Sequence, residues 1–311
     1  MAIAPHSRMR HRLTVLSLLL ALAISFASAQ DQTSTWKPPT PRKSLTLFAP
    51  KPLGGNNIFK GEKEVWLSDA LEELEGGVFN EIKDQKISDY VAQVGTNLVQ
   101  YCARPKRTYV FIVTTDETPD AMTSGAGRVF VSIGLLRLLQ TEDELAGIIA
   151  HELAHDVFSH IPKTFTRQLF WMTRTKKVSS PVEVRNKLEQ LLAEYQKNEI
   201  AAVGEKLIGF TRFDELEADR AAFYITYKAG YNPTGLASAL EEYEQEQKKQ
   251  VDKSEYRWGQ LYSLLLSNHP PTAQRSLALS FETNFVNMPP ENSFYRSPAF
   301  DEMKSRLAAQ P

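Results

Sequence analysis

The sequence predicts an α+β domain that is mostly helical and carries a small sheet. Three observations carry that reading. Apolar residues recur at helical spacing through most of the chain after residue 60. Two short runs rich in β-branched and aromatic residues stand among those segments. Capping and stop signals mark where several helices begin and end. The 311 residues, 42% hydrophobic and 23% charged, suffice for one sizeable core.

Residues 1–29 are expected to be a cleaved signal peptide. Arg8, Arg10 and Arg12 form a basic start, Leu13 to Phe26 is apolar, and Ala27-Ser28-Ala29 offers small residues for cleavage. The apolar run is shorter than the ~20 residues of a spanning helix. Cleavage would remove three arginines and no acid, taking the formal net charge from −1 to −4. That balance argues against a nucleic-acid partner. Residues 30–60, rich in Pro, Thr, Ser and Lys, read as an extended leader. The folded domain is expected over 61–290, and 291–311 as a tail with a short helix.

Within the domain, Glu62 to Leu74 and Lys86 to Tyr101 have amphipathic helical spacing. Thr108 to Thr115 and Arg128 to Ile133 are the two expected strands, with a turn at Ser124-Gly125-Ala126-Gly127 before the second. Thr141 and Glu144 fit a capping box, so a helix should run from there to about His160. Further helices are expected from Ser180-Pro181, over Gly209 to Ala229 with Gly230 as the stop, and over Thr234 to Gln250. Tyr256 to Ser267, Thr272 to Glu282 and Ala299 to Ala308 complete the set. Cys102, the single cysteine, excludes an internal disulfide and reads as a buried small hydrophobe.

The chemistry is concentrated in His151-Glu152-Leu153-Ala154-His155. At i and i+4 on a helix the two imidazoles share one face and can reach one ion. Glu152, one position round, can act as a general base on a water held by that ion. Three of the four histidines that remain after signal cleavage lie within 151–160. A metzincin would need a glycine three residues after His155 and a histidine six after it. Phe158 and Ile161 stand there, so that pattern fails. In a continuous helix His160 turns away from the 151/155 face and serves the helix end. The acidic segment Thr211 to Asp219 is the better source of a third ligand. Glu215 and Asp219 are i and i+4, followed by small Ala222. Spacing alone leaves Asp214, Glu215 and Glu217 open as that ligand.

The pairing of this motif with a later Arg212-x-x-Glu215-x-x-Ala218-Asp219 resembles the gluzincin family of the type I CAAX prenyl proteases and the HtpX-type proteases. The likeness runs from about Glu62 to about Leu279. The resemblance implies a zincin-type metallopeptidase domain, its sheet packed on the active-site helix, with one Zn2+ per chain. It makes Glu215 the third ligand and Asp219 the acid that orients a ligand histidine. It also brings a His-Pro segment, here His269-Pro270, near the metal as an oxyanion donor or an occupant of the open position. Arg275 then orients His269 or meets substrate carbonyls. Asp120-Ala121-Met122 replaces the Asn-Ala-Phe usual in the family, which puts the substrate groove rather than the metal site in question.

The expected reaction is hydrolysis of internal peptide bonds in protein or peptide substrates. The substrate is expected to pair as an added strand along Arg128, Val129, Phe130 and Val131. An exported protein of this kind suits the periplasm, with secretion as the other destination, and a role in clearing or maturing envelope proteins. Peripheral contact with the membrane or with outer-membrane proteins fits that setting. A zinc-bearing chaperone or assembly module is the alternative reading. Residues 161–208 form a long insert containing Leu169-Phe170-Trp171-Met172, either a packing segment or a lid or a membrane- or substrate-facing patch. Neither the oligomeric state nor the cleavage preference follows from these residues.

Overall fold

The structure, a computed structural model, describes residues 56–75, 80–197, 210–250, 272–289 and 294–309. The signal segment, the leader as far as residue 55, the helix expected at Tyr256–Ser267 and His269 lie outside the described residues. Helices α1 (Glu62–Glu75) and α2 (Gln85–Val99) precede strands β1 (Val110–Thr114), β2 (Ala121–Gly125) and β3 (Arg128–Ser132). Then follow α3 (Ile133–Leu138), α4 (Glu142–Val157), α5 (His160–Thr173), α6 (Pro181–Lys197) and α7 (Arg212–Ala229). Helices α8 (Gly235–Gln250), α9 (Thr272–Glu282) and α10 (Pro298–Ala308) complete the described elements. This is the mostly helical α+β architecture that the sequence predicts.

The sheet has the order β1-β3-β2, with β1 parallel and β2 antiparallel to β3. Alternation along the strands divides its two faces. Val113, Val129 and Val131 enter one core together with α2, α4 and α7, while Met122 and Phe130 enter a second core with α1, α5 and α6. Strand β2 is not among the expected strands, which leave only a turn at Ser124–Gly127 here, because Ala121-Met122-Thr123-Ser124-Gly125 holds a single β-branched residue. Its pairing with β3 and the burial of all five residues make it a strand. The turn after it passes through Gly125, Ala126 and Gly127, all at positive φ.

This topology overturns the expected substrate strand. Strand β3 is hydrogen-bonded along both sides, so Arg128–Val131 present no edge to a peptide. Val129, Phe130 and Val131 are buried in the two cores. Arg128 is held by Asp69 at 2.7 Å and Glu72 at 2.9 Å. The outer side of β1 is partly covered as well, by Ile82 N–H on Val113 at 2.8 Å and Thr115 N–H on Asn80 at 2.9 Å.

Helix α4 is the centre of the main core. The Thr141 hydroxyl accepts from Glu144 N–H at 3.2 Å, and the Glu144 carboxylate accepts from Thr141 N–H at 3.0 Å, so the capping box is formed. Glu142 then accepts from the hydroxyls of Tyr90 at 2.8 Å and Tyr231 at 3.3 Å. Asp143 accepts from Asn232 N–H at 2.8 Å, just beyond the end of α7. The start of α4 is thereby tied to the end of α7, and the two helices run antiparallel. Both helices bring small buried residues to the main core, Ala150 and Ala154 on α4 and Ala218 and Ala222 on α7. Helix α10, from the expected tail, buries Phe300, Met303 and Leu307 in this same core.

The seam between α4 and α8 is tighter still. A Cβ added at Gly147 would lie 2.5 Å from the Leu236 nitrogen, and one at Gly235 would lie 2.2 Å from the Asp143 oxygen. Both obstacles are backbone, which cannot swing aside. Gly147→Ala is expected to lower stability by about 1–3 kcal/mol from overpacking, outweighing the ~1 kcal/mol that alanine adds to a helix. Thermal unfolding followed by circular dichroism checks this. A melting temperature at or above the parent's would refute a seam closed by glycine.

Candidate metal centre

Helical spacing puts His151 and His155 one turn apart on α4, and both are buried. Their Nε2 atoms lie 2.9 Å from each other. Glu215 comes from the first turn of α7. A second capping box starts that helix, with Thr211 Oγ1 accepting from Asp214 N–H at 3.1 Å and Asp214 accepting from Thr211 N–H at 2.8 Å. The Glu215 carboxylate lies 3.5 Å from Nε2 of each histidine. Ligand atoms of His151, His155 and Glu215 all fall within 4.8 Å of one another. A tetrahedral zinc with bonds of ~2.0–2.1 Å separates its ligand atoms by roughly 3.4 Å. Two imidazole nitrogens and one carboxylate oxygen at these separations fit such an ion, with a fourth position open.

Behind His151 stands the rest of the α7 acidic face. Asp219 Oδ1 is 2.9 Å from His151 Nδ1. Arg275 of α9 forks onto Asp219, with Nε at 2.7 Å from Oδ2, and its Nη1 lies 3.4 Å from Glu215 Oε2. Burial alone would raise Asp219, but the Arg275 hydrogen bonds and charge hold its carboxyl below the usual carboxylate range. Burial likewise opposes charge on His151, yet its hydrogen bonds to Asp219 and Glu215 raise it to about 9. Arg275 is buried and paired with the two acids of α7, a supporting place in the site, while its expected link to His269 lies outside the described residues.

His160 is the residue that sequence reasoning misplaced. Helix α4 ends at Val157, and Ser159 takes the left-handed conformation at φ 57° and ψ 41° before α5 begins. That break turns His160 back toward the site. Its Nδ1 lies 2.9 Å from His155 Nδ1, and its Nε2 lies 3.1 Å from Glu217 Oε2. If His155 ligates through Nε2, its Nδ1–H donates to His160, whose Nε2–H donates to Glu217. Each ligand histidine thus has its own supporting chain, Asp219 and Arg275 for His151, His160 and Glu217 for His155. The only sequence signal for this was the clustering of three histidines within 151–160.

Glu152 is buried beside His151 and lines a cavity that Asp120 and Arg275 also border. Burial, with the charge of Glu152 added, pushes the Asp120 carboxyl well above the usual carboxylate range. The four aromatic and aliphatic residues Leu169–Met172 divide. Leu169 is buried in the second core, whereas Trp171 is 55% exposed on the surface of α5. None of the described helices is long and apolar enough to cross a membrane.

Two outcomes are expected from this geometry. A bound ion must displace the proton that Asp219 and Glu215 stabilise on His151, so metal affinity should rise with pH toward about 9 and level off above it. Zinc competition against a chelator of known pH response reads this directly; an affinity flat between pH 6 and 9 contradicts it. His160→Ala should weaken zinc binding roughly 10–100-fold, and His160→Gln, which can still accept at one end and donate at the other, should recover part of the loss.

The family model described as Peptidase family M48 matches residues 85–283, more than half of the chain and all of the centre just described. The chain is similar to the beta-barrel assembly-enhancing protease of Escherichia coli K12, 25% identical over 169 residues, covering 51% of this chain and 33% of that protein. It is also similar to the mitochondrial metalloendopeptidase OMA1 of Schizosaccharomyces pombe, 26% identical over 188 residues, or 60% of this chain and 50% of the other. Metalloprotease LoiP of Escherichia coli K12 is 25% identical over 170 residues, 54% of this chain and 59% of its own length. The chain therefore spans a third to somewhat over half of these relatives.

Proposed function

The chain belongs to peptidase family M48, and on that premise we propose that it is a zinc-dependent endopeptidase with Glu152 as its general base. The observation that carries this reading is the convergence of buried His151, His155 and Glu215 on one point, with Glu152 next along the helix and lining the adjoining cavity. Zinc, when bound, supplies a Lewis acid that polarises the scissile carbonyl and acidifies water. Glu152 takes the proton of the attacking water and hands it to the leaving amine. Asp219 and His160 keep the ligand imidazoles in the tautomer that offers Nε2, and Arg275 holds the two acids of α7 in place. His269 is assigned to the open side of the site on the family resemblance alone.

The protein is proposed to be exported through the N-terminal segment and to act in the cell envelope. Its substrates in this reading are unfolded or misassembled envelope proteins, including those of the outer membrane. The name of the Escherichia coli assembly-enhancing relative supports that setting. The same name favours one second reading, an assembly module that keeps the zinc site and cuts little.

Purified wild type and Glu152→Gln, each with measured zinc content, separate these readings on casein. The expected result is zinc at one per chain in both and cleavage lowered by about 10²–10⁴-fold in the variant. Equal cutting by the two would remove Glu152 from the mechanism. Zinc retained with no cutting by either would favour the assembly module.

A further inference from the structure

The tip where α5 turns into α6 presents side chains that neither the metal centre nor the two cores use. Residues 157–182 hold five Lys or Arg and no Asp or Glu, in a chain whose formal net charge is −1. Arg174, Lys176 and Lys177 are exposed in the connection between the two helices. Large apolar side chains are exposed on either side of that connection. Phe170 at 38% and Trp171 at 55% stand near the end of α5, and Val182 at 68% near the start of α6. The Phe170 and Trp171 rings meet edge to face, their centroids 5.7 Å apart. Glu183, the first acid beyond the stretch, is engaged in accepting from Ser179 N–H at 2.8 Å.

The backbone of the tip is held in place. Arg174 takes the left-handed conformation at φ 57° and closes α5, its N–H donating to the Phe170 carbonyl at 3.1 Å. Thr175 N–H donates to the Leu169 carbonyl at 3.1 Å. Beyond them Val178 is buried in the second core, and its carbonyl accepts from Lys63 Nζ of α1 at 2.7 Å. The exposed aromatics therefore stand on a fixed scaffold, and seating them orders little further chain.

Aromatic rings beside cations are what an anionic bilayer surface accepts. The rings settle among the headgroups, while ammonium and guanidinium groups meet the phosphates. Three exposed apolar side chains are too few for the apolar centre of a stable protein interface, which covers ~800 Å² on each partner. We propose that this tip docks the protein on the surface of an anionic phospholipid bilayer. Phe170, Trp171 and Val182 enter the headgroup layer, and Arg174, Lys176 and Lys177 meet the lipid phosphates. Helix α5 joins the tip to the metal centre, since His160 at its start lies roughly 16 Å along the helix from Trp171. Docking thus holds the centre within reach of polypeptide at the membrane surface. The inference stands on the charge and exposure of the tip and does not depend on the endopeptidase reading.

The test uses the full chain as wild type, Trp171→Ala, Trp171→Phe and the double variant Lys176→Glu/Lys177→Glu. Vesicles are of phosphatidylcholine alone or mixed with phosphatidylglycerol. In co-sedimentation at low salt, wild type is expected to bind the mixed vesicles at least about tenfold more tightly, and high salt should erase the difference. The double variant should lose at least about tenfold of that binding, and Trp171→Ala should weaken it as well. Brominated lipid should quench the emission that Trp171 contributes, read as the difference between wild type and Trp171→Phe. That difference is blind to any insertion by the N-terminal segment. Without vesicles, the melting temperature and casein cleavage of the variants should match wild type.

Equal binding to both vesicle types, binding unchanged in the double variant, or Trp171 emission that brominated lipid leaves unquenched overturns the inference. So does loss of casein cleavage in a folded, zinc-loaded Trp171→Ala, which would make the tip a contact for substrate protein. If Trp171→Ala fails to fold, the double variant and the quenching of wild type decide. A wild type that binds and is quenched as expected but cuts nothing removes the endopeptidase reading alone.

Discussion

Two imidazoles on α4 and two carboxylates on α7 face each other across a buried interface. Burying a lone charge costs several kcal/mol even after the surroundings relax. The interface is tolerable because its members compensate one another. Glu215 lies against Nε2 of both histidines, Asp219 takes Nδ1 of His151, and Arg275 forks onto Asp219 while reaching Glu215. Removing one member would leave the others buried and mismatched. The charges that make the site useful thus also hold α4, α7 and α9 in one arrangement.

Such facing requires the helices to approach closely, and the residues that allow it are small. Ala150 and Ala154 of α4 and Ala218 and Ala222 of α7 are fully buried in the main core, and a Cβ at Gly147 would strike the backbone of α8. The start of α4 is anchored by its capping box and by Asp143 on Asn232 N–H. A site carried on packed helices keeps its geometry better than one carried on loops. The same seam that positions His151 also shapes the apolar cavity that Glu152 lines.

The other end of α4 shows a different trade. A left-handed non-glycine residue costs roughly 1–2 kcal/mol, and Ser159 adopts that conformation. In return α5 starts with His160 directed at His155 and Glu217, which completes the support of the second histidine of the pair. Strain of this kind persists where the surrounding contacts over-determine the backbone. Here the buried hydrogen bonds of His160 and the packing of Ile161, Phe165 and Leu169 into the second core do so.

The sequence by itself determined the parts that depend on local geometry. Four residues along a helix is one turn whatever surrounds it, so His151, His155 and the intervening Glu152 were legible, as were the capping box at Thr141 and the stop at Gly230. The acidic run of α7 was legible as a source of the third ligand, but not which acid would supply it. In the fold Asp214 caps the helix, Glu215 faces the two histidines, and Glu217 bonds His160. Those three roles depend on how α7 is rotated against α4, which spacing within α7 does not encode. The place of His160 hung on one backbone torsion at Ser159, where serine carries no strong preference for the left-handed region. The interior position of β3 depended on β2, a segment that pairs because the core covers it rather than because its residues favour a strand. Local periodicity therefore located the chemistry in the chain, and the packing of helix on helix and strand on strand decided which side chains surround it.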